Sequence, residues 1–354
     1  MSDPKHSDHL AERTLSLVSI RSVSRSEAEA MAYVRNELAL EPLFASDDVL
    51  FATTARRDGL PLVLLAGHVD TVPAQDNLPG RLEDGAVVGL GASDMKGGVA
   101  VMLELAEWAL SAETEVDLGF LFFTREELPA EESPLPAFLD ESAEAKGADL
   151  AIVLEPTDNE LHVGCVGNLS AQLTFHGVSA HSARPWSGEN AIHGAAATLA
   201  PLATLEPLDV EVDGLVFREV VSAVGIEGGI ADNVVPDRCV ARLNYRYAPG
   251  RTREQAEERI RELAGGAEVE ILGNSPPAHV VVDRPLVTRL REAGGFAVRP
   301  KQAWTPVAQF AEAGLDAVNL GPGATSYAHR ADERVEISEL VRTYDALRRF
   351  AGSV

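Results

Sequence analysis

The chain has 354 residues, 45% hydrophobic and 24% charged, with 30 Lys and Arg against 55 Asp and Glu for a net charge of −25. That length suits two domains rather than one compact core. The acidic balance leaves no basic excess to release counterions, which argues against nucleic acid and anionic membranes as partners. No run of about 18 apolar residues occurs, so no membrane span is expected. The segment MSDPKHSDHLAERT lacks the basic-then-apolar form of a signal peptide. Two cysteines, Cys165 and Cys239, cannot build a disulfide framework, and a reducing cytoplasm is the expected compartment.

In chain order, a helix is expected over 10–18. Ser24 and Glu27 have capping-box spacing ahead of a second helix over 28–40. Residues 62–66 read as a short buried strand that exits into His68-Val69-Asp70. Gly89-Leu90-Gly91-Ala92-Ser93 then leads to Asp94 and a helix over 96–110, with Val99, Met102, Leu103 and Ala106 on one face. The apolar runs 116–124 and 148–154 both end in acid, Glu126 and Glu127 after the first and Glu155 after the second. Residues 315–320 repeat the pattern before Gly321-Pro322-Gly323 and His329.

Strands alternating with helices predict an α/β fold, a mostly parallel sheet with helices on both faces. Ligands bind such sheets beyond the carboxyl ends of the strands, where all of these candidates lie. Between 167 and 278 the pattern changes. Strands at 169–175, 217–226, 239–247 and 267–272, with helices at 190–205 and 252–263, give β-α-β-β-α-β with helices on one face. The expected organisation is a catalytic domain over 1–166 and 279–354, interrupted by an inserted α+β domain over 167–278.

A metal hydrolase needs imidazole and carboxylate ligands on rigid elements, a base for water, and an electrophile for the developing oxyanion. His68 with Asp70 matches a ligating imidazole whose second N–H is taken by a carboxylate. Asp94 on a constrained turn can present both oxygens to two metals. Adjacent Glu126 and Glu127 cannot share one direction, so one can ligate while the other faces water; a solvated acidic pair is the competing reading. Glu155 after the buried run AIVL needs a partner. A dinucleotide loop would carry Gly where Asp94 stands, and no phosphate-loop motif occurs.

The motifs GHVDTVP, GASDMKGG, TREE, LEPT, GVSAHSARPWSGENAI, IADNVVP and GPG…AH resemble the co-catalytic zinc amidohydrolases. That family includes aminoacylases, acetylornithine deacetylases, glutamate carboxypeptidases and succinyl-diaminopimelate desuccinylases. The resemblance runs in order along nearly the whole chain and is nearest the actinobacterial desuccinylase branch. It implies two Zn2+ per subunit, replaceable by Co2+ or Mn2+, with His68 and Glu155 on one and Glu127 and His329 on the other. Asp94 would bridge them, with the Asp94–Met95 peptide cis. Asp70 would orient His68, and Glu126 would serve as general base and acid. His181 resembles a lid histidine that reaches the site of a neighbouring subunit, which implies a homodimer. Asn233 and Arg246 resemble substrate-binding lid residues, and Arg184 is a further cation for that role.

The implied reaction is hydrolysis of a small N-acyl amino acid, N-succinyl-LL-2,6-diaminopimelate first. Acetylornithine or acyl-lysine deacylation and dipeptide cleavage come next, and a silent binding protein is the reading from another class. Three positions depart from the branch: Pro306 stands for Asp, Gln309 for Arg, and Ser170 for Arg. Losing the guanidinium at 309 removes a charge-assisted contact worth roughly 1.5–3 kcal/mol, unless Arg184, Arg246 or Arg330 replaces it. His6, His9, His162, His176, His193 and His279 read as structural or solvated, Trp108 as core, and Trp186 as lining a lid.

Overall fold

The computed structural model describes residues 4–352. They fall into two compact units, the first built from residues 4–164, Val281–Arg299 and 305–352, the second from Cys165–Val280 and Pro300–Trp304. The second unit thus starts two residues before the expected boundary and gains a short later segment. The Ala278 N–H donates to the Cys165 carbonyl at 3.2 Å, closing its neck. Gln302 exchanges two hydrogen bonds with the strand Leu215–Gly228, through the Arg218 N–H (3.0 Å) and the Val216 carbonyl (2.9 Å).

In the first unit, the strands Asp117–Phe123, Leu62–His68, Leu150–Val153 and Ala317–Asn319 lie side by side and parallel. All four are buried at every position, the mark of a sheet covered on both faces. Antiparallel strands flank them, Val49–Thr53 on one side and Leu161–Val163 on the other. The helices Pro4–Ser19, Gly97–Ala109, Pro285–Gly294 and Ile337–Ala351 pack on one another, as do Leu135–Glu141 and Val307–Glu312. Among the described residues no helix is long and apolar enough to cross a membrane.

The second unit is a five-stranded antiparallel sheet in the order Leu208–Val212, Leu215–Gly228, Arg238–Tyr247, Gly167–His176, Glu268–Ser275. Leu169, Ala171 and Leu173 alternate onto the face that meets Ala195 of the helix Ala191–Leu202 and Ile260 of Arg253–Leu263. Both helices therefore share one side of the sheet.

Several local expectations were not met. Ser24 does not cap the helix Ala28–Glu37, because Glu27 occupies the cap position with its Oε1 taken by the Arg25 N–H at 2.7 Å. The Ser24 hydroxyl instead donates to Asp70 Oδ2 at 2.7 Å. Two hairpins add to the expected elements, Arg81–Glu83 with Ala86–Val88 and Leu208–Val212 with Leu215–Gly228. Each turns on an Asp-Gly pair with positive φ at both residues, a recognised two-residue hairpin signal. Trp108 is half-buried rather than core, with the Arg348 guanidinium 5.3 Å from its ring. His176, expected to be structural or solvated, is exposed with its Nε2 2.9 Å from Glu268.

Candidate metal centre

The carboxyl ends of neighbouring parallel strands bring the expected side chains of the first unit together. His68 closes Leu62–His68 opposite Phe123, which leads into Glu126 and Glu127, and Ala66 faces Val153, two residues before Glu155. Asp94 sits on a wide helical turn, Ala92–Lys96, closed by the Lys96 N–H donating to the Gly91 carbonyl at 2.8 Å. Gly91 has φ 78°, and a Cβ there would lie 2.8 Å from Thr71 Cγ2, so only glycine suits the turn. A Cβ on Gly98 would collide with the Leu154 carbonyl, so the helix Gly97–Ala109 begins directly against the segment carrying Glu155. The Asp94–Met95 peptide is cis, as the resemblance implied.

Asp94 faces two imidazoles, one with each oxygen: Oδ1 is 3.2 Å from His68 Nε2 and Oδ2 is 3.5 Å from His329 Nε2. Glu155 Oε1 lies 3.8 Å from His68 Nε2, and Glu127 Oε1 lies 2.9 Å from His329 Nε2. Candidate ligand atoms of His68, Asp94 and Glu127 are all within 4.8 Å of one another. Arg125, just before the acidic pair, has φ 60° and His329 has φ 62°. Left-handed backbone is uncommon for such residues and is tolerated where surrounding contacts over-determine it.

Two buried carboxylates hold the loops. Asp70 Oδ1 accepts the Glu126 N–H and Oδ2 the Glu127 N–H, both at 3.1 Å, besides the Ser24 hydroxyl. The His68 Nδ1 is nearer the Asp70 backbone carbonyl (3.1 Å) than its Oδ1 (3.4 Å), so Asp70 addresses the ring with main chain and side chain together. Glu333, to which the sequence alone assigns no role, accepts the N–H groups of Gly91 (2.9 Å), Ser93 (3.1 Å) and Asp94 (3.0 Å). No local pattern marks it, because its partners lie some 240 residues earlier.

The charges are strongly coupled. Hydrogen bonds that His329 donates to Asp94 and then to Glu127 push it up to about 11 despite its partial burial. Burial works against a charged His68, yet Asp70 and Asp94 hold it well above the usual imidazole range. Burial likewise opposes a charged Asp94, and the His329 and His68 rings keep it well below the usual carboxylate range. Burial, then the charge of Glu155, pushes Glu126 well up. Burial also raises Glu333 to about 7, against the pull of the amides it accepts.

This donor set fits a pair of divalent cations. Each side has one imidazole and one carboxylate, with a carboxylate shared between them, the N and O donors that zinc, cobalt or manganese accept. Crowded carboxylates need positive charge nearby to be tolerated away from water.

In the second unit, His181 lies on the short strand Ala180–His181, paired with Val234–Val235. It is exposed, and its Nδ1 accepts the Ala183 N–H at 3.1 Å. The Ser182 N–H donates to the Asn233 carbonyl (2.9 Å) and the Arg184 N–H to the His181 carbonyl (2.7 Å), so these three residues share one corner. Arg246 lies instead within the strand Arg238–Tyr247, its Nε donating to Asn244 Oδ1 at 3.0 Å. Trp186 is exposed. In the first unit, Gln309 is buried and its Oε1 accepts the Ser133 hydroxyl at 3.3 Å.

Residues 64–353 match the model of Peptidase family M20/M25/M40. The DapE protein of Mycobacterium tuberculosis is 39% identical, over 96% of this chain and 97% of its own. The succinyl-diaminopimelate desuccinylase of Corynebacterium glutamicum is 38% identical, over 81% of this chain and 80% of its own. Among solved structures, the aminopeptidase PepT of Bacillus cereus superposes with a TM-score of 0.78 at 20% identity, over 97% of each chain. The YXEP protein of Bacillus subtilis, a dinuclear metal-binding peptidase, does so at 0.73 and 17%, over 98% of each. Both structures share the fold. By sequence, the chain belongs to peptidase family M20/M25/M40.

Proposed function

We propose that this chain is a metal-dependent amidohydrolase that cleaves N-succinyl-LL-2,6-diaminopimelate to succinate and diaminopimelate. The observation that carries the amidohydrolase reading is Asp94, turning one oxygen to each of two imidazoles that have their own carboxylates. The choice of substrate is supported by the names of the relatives at 38–39% identity. His68 with Glu155, and His329 with Glu127, would hold two Zn2+ with Asp94 between them, and Co2+ or Mn2+ suits the same donors. When bound, the cations supply Lewis acidity toward the amide carbonyl and make water acidic enough to lose a proton near neutral pH.

The remaining steps belong to the chain. Glu126, raised by burial and by Glu155, accepts the proton of the attacking water and returns it to the departing amine nitrogen. Asp70 aims Glu126 by holding its amide, so the base is placed by backbone rather than by rotamer alone. His181 is assigned the donor role toward the oxyanion, and Asn233, Arg184 and Arg246 the role of binding the substrate's charged groups.

Buried, uncharged Gln309 favours a second reading, deacylation of an N-acetyl amino acid whose acyl group carries no carboxylate. A panel of N-succinyl-diaminopimelate, N-acetylornithine, N-acetyl-lysine and dipeptides, assayed with added zinc, tests both. Succinate release at the highest kcat/KM is expected; acetate release in its place would transfer the assignment to the second reading.

The reading includes a homodimer working in the cytoplasm, where its two buried, unbridged cysteines stay reduced. Leu208–Val212 covers only the Leu215–Glu219 part of its neighbour, so beyond Glu219 that strand is an edge with Val224 and Ile226 60% exposed and Ile230 83% exposed nearby. Such an edge suits pairing with a second copy. Ile226→Lys is expected to shift a dimer to monomer in sedimentation at micromolar concentration. A wild-type chain that is already monomeric would refute this part.

Proton release gives a further check. With His329 raised to about 11 and His68 well above its ordinary range, cation loading is expected to release protons from the two rings. Titration calorimetry in buffers of different ionisation enthalpy counts them, and zinc affinity should rise with pH. Stability of the cation-free chain should move oppositely. Pairs with raised imidazoles contribute fully below the ordinary value of about 6.5 and are lost as pH climbs, through about 11 for His329. A flat proton count near zero would contradict the charge states assigned.

A further inference from the structure

We propose that Glu333 is a positioning residue that locks the Asp94 turn to the His329 loop and thereby maintains the cation site formed by His329 and Glu127. The inference rests on the two-cation reading and adds a residue to it.

Glu333 is 1% exposed, and its carboxylate is occupied entirely by main chain, Oε1 by the N–H groups of Ser93 and Asp94 and Oε2 by that of Gly91. Its own backbone joins the same lattice. The Gly89 N–H donates to the Glu333 carbonyl at 2.9 Å, and the Glu333 N–H donates to the Arg330 carbonyl at 3.2 Å. Gln75 Nε2 donates to the His329 carbonyl at 2.8 Å and Asn77 Nδ2 to the Arg330 carbonyl at 3.1 Å. The Leu90 N–H donates back to the Asn77 carbonyl at 3.1 Å. Two segments some 240 residues apart are thus laced together, one carrying His329 and the other Asp94, whose Oδ2 faces His329.

The other side is built differently. His68 and Glu155 extend from neighbouring parallel strands, fixed by the ladder and by the Leu154 N–H donating to the Ala66 carbonyl at 2.9 Å. They do not need Glu333 to find each other. The His329 side has no such ladder, since His329 lies in a loop in left-handed backbone and meets Asp94 only across the lattice. Losing Glu333 should therefore harm the two sides unequally.

Gln is the decisive replacement because it keeps the shape. Both carboxylate oxygens face N–H donors, so either orientation of a Gln amide sets its NH2 against at least one of them. The experiment is a Zn2+ titration of the full chain against a chromophoric chelator, wild type beside Glu333→Gln. The wild type should bind two equivalents. The variant should keep one at wild-type affinity and bind the other about 10–100-fold more weakly, the usual range when a residue supporting a ligand is lost. Two equivalents at wild-type affinity, or both weakened equally, would overturn the inference, the latter indicating a general structural role. A wild type that binds no zinc would sink the two-cation reading instead.

Amide exchange in the cation-free wild type decides the matter should the variant fail to fold. Protection of Gly91, Ser93 and Asp94 is expected, and exchange at the rate of an open loop would overturn the proposal.

Discussion

Glu126→Gln should lower kcat by about 100- to 10,000-fold, the usual worth of a positioned acid–base group, while zinc stoichiometry stays at two. The reason is geometric. Glu126 and Glu127 follow the same strand, Asp117–Phe123, but face different neighbours: Glu127 Oε1 lies 2.9 Å from His329, whereas Glu126 feels Glu155 and His68 as its strongest charged neighbours after burial itself. Gln preserves size and the Glu126 N–H bond to Asp70, so the loop and the ligand candidates stay in place. KM should change little, since the interaction lost is made in the transition state. Metal analysis beside steady-state kinetics provides the check. Activity retained within a factor of a few would remove Glu126 from the mechanism, and lost zinc would make it a ligand.

Asp94→Ala should cost the chain both cations and, with them, several kcal/mol of charge stabilisation, on the order of 1,000-fold or more in kcat/KM. Each Asp94 oxygen serves one imidazole, so removing the side chain strips a ligand from both sides at once. It also leaves two imidazoles less well opposed, and His329 loses the hydrogen bond that contributes most to its raised pKa. Asp94→Asn sharpens the test, because an amide keeps one oxygen and should keep at most one tightly held equivalent. Two equivalents retained in the Ala variant would falsify the bridging role. The two substitutions separate chemistry from assembly: the first should spare the metals and stop turnover, and the second should lose both together.

Much of this architecture is written locally in the chain. A strand buried on both faces reads as an unbroken apolar run, and its last residues reach the crevice, so His68 declares itself by ending Leu62–His68, and the Glu126–Glu127 pair and Glu155 by following Asp117–Phe123 and Leu150–Val153. Period-two alternation in Gly167–His176 marks the change to a sheet open on one side in the same way. Roles within the cluster were read through family resemblance, since composition and spacing alone left the acidic pair open.

Other features depended on the fold. Ser24 has capping-box spacing, yet its hydroxyl goes to Asp70, because Thr71 and Ser22 are joined through the Thr71 N–H (2.9 Å) and bring that segment beside the strand end. The Asp-Gly hairpins are legible in the sequence, since Asp84-Gly85 and Asp213-Gly214 each supply the two positive-φ residues of a tight turn.

By itself, then, the sequence determined which residues could do chemistry and the sheet ends on which they sit, because hydrophobic periodicity and side-chain type are properties of neighbours in the chain. Only the tertiary structure decided what holds them there. Asp70 clasping the amides of Glu126 and Glu127, and Glu333 clasping those of Gly91, Ser93 and Asp94, are bonds to backbone groups every residue possesses. A donor common to all residues leaves no mark in the sequence; only when the chain is folded does it have a particular partner.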